Sequence, residues 1–180
     1  EAHIHSEDKD LGGGNAAVTA SLLNNELIVG MGESVNIWRR TTTTWTQSAD
    51  SVFAIALGTV NSRLDRIETS NEFSQCDDTP LTAASWEPAD PNEYLVGDTT
   101  YACNTIVDFQ GGDWVGAADG MYGIDPTYLF HNQTPQLYKY PHVDNCKGAF
   151  VAHGYLWIPS ASGLIRVRGG SSFPQGPEVV

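Results

Sequence analysis

Two stretches of this chain superimpose without a gap. CNTIVDFQGGDWVGAADGMYGI, from Cys103 to Ile124, and CKGAFVAHGYLWIPSASGLIRV, from Cys146 to Val167, place Cys103 on Cys146, Trp114 on Trp157 and Gly120 on Gly163, a constant offset of 43 residues. Val115/Ile158, Met121/Leu164 and Ile124/Val167 are conservative pairs in the same register. An earlier stretch, LLNNELIVGMGESVNIW, sets Val29-Gly30 on Val115-Gly116 at twice that period and needs a one-residue slip after Gly32. EYLVGDTTY is a weaker echo that breaks the spacing, an outer strand or a decorated copy. A repeat of this kind constrains the fold because each copy must show apolar residues at the same depth to its neighbours.

The copies are built from short apolar runs: AAVTASLL, ELIVGMG, VNIW, VFAIAL, EYLVGD, NTIVDF, DWVGA, AFVA, YLWIP and GLIRV. Each is four to eight residues long, β-branched or aromatic, and bounded by Gly, Asn, Asp, Ser or Pro, which is how strands read. No stretch keeps a sustained 3.6-residue apolar period, and residues 61–73 alone read as a short helix or an exposed hairpin. Residues 1–14, EAHIHSEDKDLGGG, form a flexible acidic lead-in, 15–168 the folded domain, and 169–180 a Gly- and Pro-rich tail. The fold class is all-β. A period near 43 matches a four-stranded propeller blade of roughly 40–50 residues, and 180 residues hold about four of them. The expectation is therefore a set of β-propeller-type blades in a partial or irregular propeller. An open arc leaves sheet faces and edges that another chain must cover.

GGDWVGAADGMYGID and HGYLWIPSASGLIRV resemble the propeller repeats of bacterial two-component regulators, whose hallmark is an LWIGT-x-x-GL-x-R-like stretch. NNELIVGMGESVNIWRRTTTTWTQS is similar to blade-type repeats of phage tail and other virion proteins, where an LWRW-like strand precedes a Thr-rich turn and another Trp. The resemblance covers about half the chain and implies architecture. Neither family brings a catalytic motif to these positions.

Charge and composition exclude several classes. With 9 basic and 22 acidic residues the net charge is −13, a surface that repels phosphate backbones, so nucleic acid is not an expected partner. Apolar residues at 41% supply a core, which excludes a disordered chain, and no apolar run approaches a membrane span. The chain opens on Glu1 and not Met, so the expectation is a processed chain or a segment of a longer one. Cys76, Cys103 and Cys146 are an odd number without a C-x-x-C pair. Cys103 and Cys146, at equivalent positions of neighbouring copies, stand too far apart to bond to each other. Buried thiols are the default, and a Cys76–Cys103 bridge stays open. The sequon Asn132-Gln133-Thr134 matters only in a eukaryotic secretory setting.

Trp38, Arg39, Arg40 and Trp45 are the candidate binding residues: two tryptophans flank two arginines and four threonines, a hairpin with cation–π stacking at its tip, or a plain edge hairpin. Trp114 and Trp157, an aromatic platform on one reading, read better as blade-packing residues. His3 and His5 with Glu1, Asp8 and Asp10 carry metal-ligand chemistry but read as an acidic tail. Asp77-Asp78 and the group Glu87, Asp90, Glu93 and Asp98 read as solvated turns and not as a calcium site. His131, His142 and Asp144 with Ser160 or Ser162 hold the residue types of a hydrolase, but no G-x-S-x-G is present. A glycosidase carboxyl pair is set by the fold and not by spacing. Gly12-Gly13-Gly14 lacks the G-K-[ST] of a phosphate loop. No catalytic residue, metal ligand or cofactor is assigned. The expected role is a non-catalytic structural or interaction module of a large assembly, extracellular or virion-borne, most specifically a virion or phage-tail component. Its partners are other protein chains, possible self-contacts included. The alternative is a ligand- or carbohydrate-binding propeller segment of a secreted or sensor protein, and a glycosidase or lyase fragment is a third reading.

Overall fold

The computed structural model describes residues 16–87, 94–124, 137–140, 143–168 and 175–179. The expected lead-in 1–14 lies outside them. The described chain is all-β, apart from two single-turn 3₁₀ segments at Thr69–Asn71 and Ala83–Ser85. It forms four small antiparallel sheets in which consecutive strands lie side by side. Sheet 1 holds β1 (Thr19–Leu23), β2 (Glu26–Gly30), β3 (Trp38–Arg40) and β4 (Trp45–Gln47); sheet 2 holds β5 (Ala56–Val60), β6 (Arg63–Ile67) and β7 (Phe73–Cys76). Sheet 3 holds β8 (Cys103–Phe109), β9 (Gly112–Ala117), β10 (Gly120–Ile124) and β11 (Leu137–Tyr140); sheet 4 holds β12 (Phe150–Ala152), β13 (Tyr155–Ser160), β14 (Gly163–Arg168) and β15 (Gln175–Val179).

Each sheet opens with the same device. A two-residue turn joins its first strand to its second, and both turn residues have positive φ: Asn24-Asn25 (51° and 64°), Asn61-Ser62 (49° and 66°), Gln110-Gly111 (61° and 76°) and His153-Gly154 (53° and 77°). This is the hairpin turn whose twist matches that of the flanking strands, and it favours Asn and Gly because other side chains resist the left-handed region. Counting from these turns fixes the true repeat. The first-to-third and third-to-fourth spacings are those of the sequence period, but Asn61 stands 37 residues after Asn24 and 49 before Gln110. The second copy is therefore residues 56–76.

That corrects the reading of residues 61–73. Apart from the exposed Asn61-Ser62 turn and the single 3₁₀ turn at Thr69–Asn71, they form the buried middle strand of sheet 2 and the start of its third, with Leu64, Asp65, Arg66 and Ile67 all enclosed. EYLVGDTTY supplies outer pairing for that sheet: Phe73 N–H donates to Tyr94 O (2.9 Å) and Val96 N–H to Asn71 O (2.9 Å). Residues 175–179, within the segment expected as a tail, pair with β14 and complete sheet 4. The register slips between Arg166 and Arg168, which fits a strand carrying Gly and Pro at the sheet edge.

The sheets stack in chain order through their first strands, β1 on β5, β5 on β8 and β8 on β12, and no comparable contact among the described residues returns β12 to β1. Three apolar clusters fill the joins. Leu23, Ile28, Leu57 and Leu64 belong to the first; Ala56, Ile67, Ile106 and Val115 to the second; Trp114, Met121, Leu156 and Ile165 to the third. A closed ring of four sheets needs a fourth such cluster, and none joins sheet 4 to sheet 1 among the described residues, so the described sheets form an open arc. Glycine permits the closest approaches. A Cβ on Gly116 would lie 2.6 Å from Cys146 Sγ and 2.7 Å from Thr105 Cγ2, and one on Gly30 would lie 2.7 Å from Ala54 O.

Candidate functional site: the two end faces of the arc

Strand alternation gives every sheet two faces, and opposed residues of antiparallel strands share a face. Counting four residues from the start of each hairpin turn reaches Ile28, Asp65, Trp114 and Trp157. Ile28, Asp65 and Trp114 face the next sheet and are sealed by it. Trp157 meets no next sheet among the described residues and is only half-buried. Phe150, Trp157 and Arg166 stand in one cross-strand row, opposite in direction to Leu156, Ile158, Ile165 and Val167, which enter the core. The Phe150 and Trp157 rings stack at 6.3 Å with an 8° interplanar angle, and Phe150 remains 48% exposed. The Arg166 guanidinium lies 4.7 Å from the Tyr155 ring centroid and 5.7 Å from that of Trp157. Trp157 Nε1 donates to Ala152 O (3.1 Å).

The other end face belongs to sheet 1. Leu22, Leu27, Arg40 and Trp45 form one row across it, and Ala20, Val29, Trp38 and Gln47 the next. Leu22 is 56% exposed. The hairpin expected around the tryptophans is present, with Arg40 opposite Trp45 and its guanidinium 5.8 Å from that ring. Its four candidate residues do not share a face, however. Trp38, Arg40 and Trp45 point away from sheet 2, whereas Arg39 lies in the row of Ile28 and Ser21 on the opposite side, 3.6 Å from Glu26. The Trp38 and Trp45 indole N–H groups are enclosed by their own surroundings, yet neither meets an acceptor among the described residues. Thr41 and Thr44 close the turn through backbone and hydroxyl contacts.

Sequence reasoning missed two buried polar sites. Asp65 on β6 and Asp113 on β9 meet across the join of sheets 2 and 3, 0% and 1% exposed. Gln75 Nε2 donates to Asp65 Oδ1 (2.7 Å) and reaches Asp113 Oδ2 at 3.4 Å, while Arg63 Nη1 donates to Gln75 Oε1 (3.4 Å). Apart from the proton that the two carboxyls can share, Asp65 Oδ2 and Asp113 Oδ1 meet no hydrogen-bond donor among the described residues. Burial first, and then the charge of Asp113, hold the Asp65 carboxyl well above the usual carboxylate range. Burial raises Asp113 to about 6, the proton on Asp65 opposing that rise. A glycosidase carboxyl pair must border a substrate cleft, and this pair is sealed. The second site is Asn71. Its amide donates to the carbonyls of Val96 (3.0 Å), Asp98 (3.2 Å) and Tyr101 (2.8 Å), and its Oδ1 accepts from Cys103 N–H (2.9 Å).

The remaining candidates sit in local contacts or outside the described residues. Ser162 donates to Asp144 Oδ1 at 2.5 Å, which lowers the exposed Asp144 carboxyl and ties the β13–β14 turn to it; Ser160 donates to Gly163 O (3.0 Å). Asp77 pairs with Arg63 (2.6 Å), Asp78 accepts from Thr79 (3.2 Å), and Glu87 bridges Gln75 through its backbone. Glu1, His3, His5, Asp8, Asp10, Gly12–Gly14, Asp90, Glu93, His131, the sequon at Asn132 and His142 lie outside the described residues. Cys76, Cys103 and Cys146 are all buried and free, so no disulfide joins Cys103 to Cys146 or to Cys76. Among the described residues no helix is long and apolar enough to cross a membrane. No family model matches the chain, and no curated protein matches it either.

Proposed function

We propose that the chain is a non-catalytic structural and interaction module of a large assembly, most specifically a virion or phage-tail component, extracellular or virion-borne. The observation that carries this reading is the pair of end faces that no further sheet covers among the described residues, with Phe150 and Leu22 left exposed on them. Trp157 and Phe150 repeat one sheet further on what Trp114 and Val107 do inside the stack, without the neighbour that Trp114 and Val107 have. A row of large apolar side chains at the end of a stack marks an association surface, because its exposure is costly in water. The likeness of the Trp38–Trp45 hairpin to virion blade repeats supports the specific role. The test is the native mass of the species carrying this chain in its source. A mass far above 19.5 kDa is expected, and a lone monomer there would sink the reading.

A carbohydrate-binding role is the second reading, favoured by the Phe150–Trp157 stack, since parallel exposed rings suit sugar faces. Saturable quenching of tryptophan fluorescence by a glycan supports it, and a flat titration across a glycan panel counts against it.

A further inference from the structure

We infer that the partner on these faces is a second copy of this chain, docked front to back: the Trp157 face of one copy on the Trp38–Trp45 face of the next. This rests on the assembly reading above and names the occupant. Inside the chain, three joins are made in one way only. The face carrying the Ile28, Asp65 or Trp114 position always meets the opposite kind of face of the following sheet, never its own kind. The fourth sheet's front meets no further sheet among the described residues, with the exposed Phe150 and the half-buried Trp157 and Leu164 standing where Val107, Trp114 and Met121 are packed against sheet 4 in the third. The first sheet's back, whose Val29 is equivalent to the Val115 that sheet 3 turns toward sheet 2, meets no preceding sheet among the described residues and leaves Val18 and Leu22 exposed (55% and 56%), although Val29 itself is buried within its own sheet's surroundings. One chain thus carries both halves of the contact it already uses three times, and among the described residues no comparable contact returns β12 to β1, so the described ends do not satisfy each other.

Such a contact is heterologous, because different patches meet on the two copies. It closes into a ring if the rotation permits and otherwise grows as a filament. Apolar area and aromatic rows drive it, so a single charge placed in either face weakens it by about a hundredfold. The partner's back face also offers the Trp157 ring a surface of the kind that covers Trp114.

Sedimentation of the purified full chain tests this. Wild-type protein is expected to exceed 19.5 kDa in steps of whole chains as concentration rises. Phe150→Glu spoils the front and Leu22→Glu the back, both at exposed side chains, with Val18→Glu as a second back-face variant and circular dichroism as the check on folding. Each variant alone is expected to stay at single-chain mass. An equimolar mixture of a front and a back variant is expected to form a two-chain complex, because one intact front meets one intact back. Wild-type protein that stays monomeric at high micromolar concentration overturns the second-copy occupant. If the species in the source is nevertheless large, the assembly reading stands and a different protein covers the faces. If folded variants associate like wild type, the faces are wrong. If the mixture fails to pair while wild type associates, the front-to-back geometry is wrong.

Discussion

Trp157 occupies in the fourth sheet the position that Trp114 occupies in the third, and only Trp114 is covered. Trp114 packs into the cluster of Met121, Leu156 and Ile165 and meets Phe109 edge-on at 6.4 Å, whereas Trp157 stacks on the half-exposed Phe150. The same residue at the same repeat position thus has two energetic roles. Trp114→Ala is expected to cost about 3–5 kcal/mol in denaturant unfolding of the chain. Trp157→Ala is expected to cost less than about 2 kcal/mol there, its larger effect falling on association. Equal losses for the two variants in a dilute, monomeric sample would contradict the assignment.

Asn71 holds the segment 94–103 against sheet 2 through three carbonyls and one N–H, in the left-handed conformation (φ 61°) that Asn tolerates better than other side chains. Asn71→Ala leaves those buried backbone groups without partners and should destabilise the chain by about 2–4 kcal/mol. Hydrogen exchange should quicken at Cys103 N–H before it quickens in β9. Unchanged protection at Cys103 would show that the side chain is dispensable.

The sealed Asp65–Asp113 pair makes stability depend on pH. Both carboxyls hold protons more tightly in the folded chain than in the unfolded one, Asp113 titrating at about 6. The folded state therefore binds more protons, and the stability this brings is full below the unfolded carboxylate pKa and is lost as pH rises through 6. Groups around the pair are Arg63, Asp77, Asp108 and Gln75, and Arg63 opposes the shift at both aspartates. Denaturant unfolding at pH 5 and pH 7.5 should differ by on the order of 2 kcal/mol in favour of pH 5, and Asp65→Asn should remove most of that difference. A wild-type chain no less stable at pH 7.5 would refute the shared-proton state.

The three thiols should be inert in the native chain. Burial raises Cys103 to about 12, and it raises Cys76 and Cys146 as well, so little thiolate exists at neutral pH. A thiol reagent should find none of the three in the native chain and all three in denaturant. Rapid native labelling, or a denatured count below three, would contradict free buried cysteines.

The sequence made much of this legible, and for a physical reason. Turn chemistry and the strand period are local, so the strands around Trp114 and Trp157 and the hairpin between Trp38 and Trp45 can be read directly. Sheet 2 was illegible because its front position carries Asp65 where the clean copies carry Trp, and its spacing is compressed on one side and stretched on the other. The Asn61-Ser62 turn, like Asn24-Asn25, is the signal that could have found it. The placement of Arg39 follows from alternation alone, since it lies between Trp38 and Arg40 on one strand. The Asp65–Asp113 pair and the reach of Asn71 over 32 residues to Cys103 exist only once the sheets are stacked, and no spacing rule contains them.

The most direct test of the central claim is hydroxyl-radical footprinting of Phe150 and Trp157 on the chain in its native species and on the isolated chain in dilute solution. Strong protection of both rings in the native species, with ready oxidation in the isolated chain, is the predicted result. Equal oxidation in the two samples would mean that the fourth sheet's outer face stays bare, and the assembly account would be contradicted.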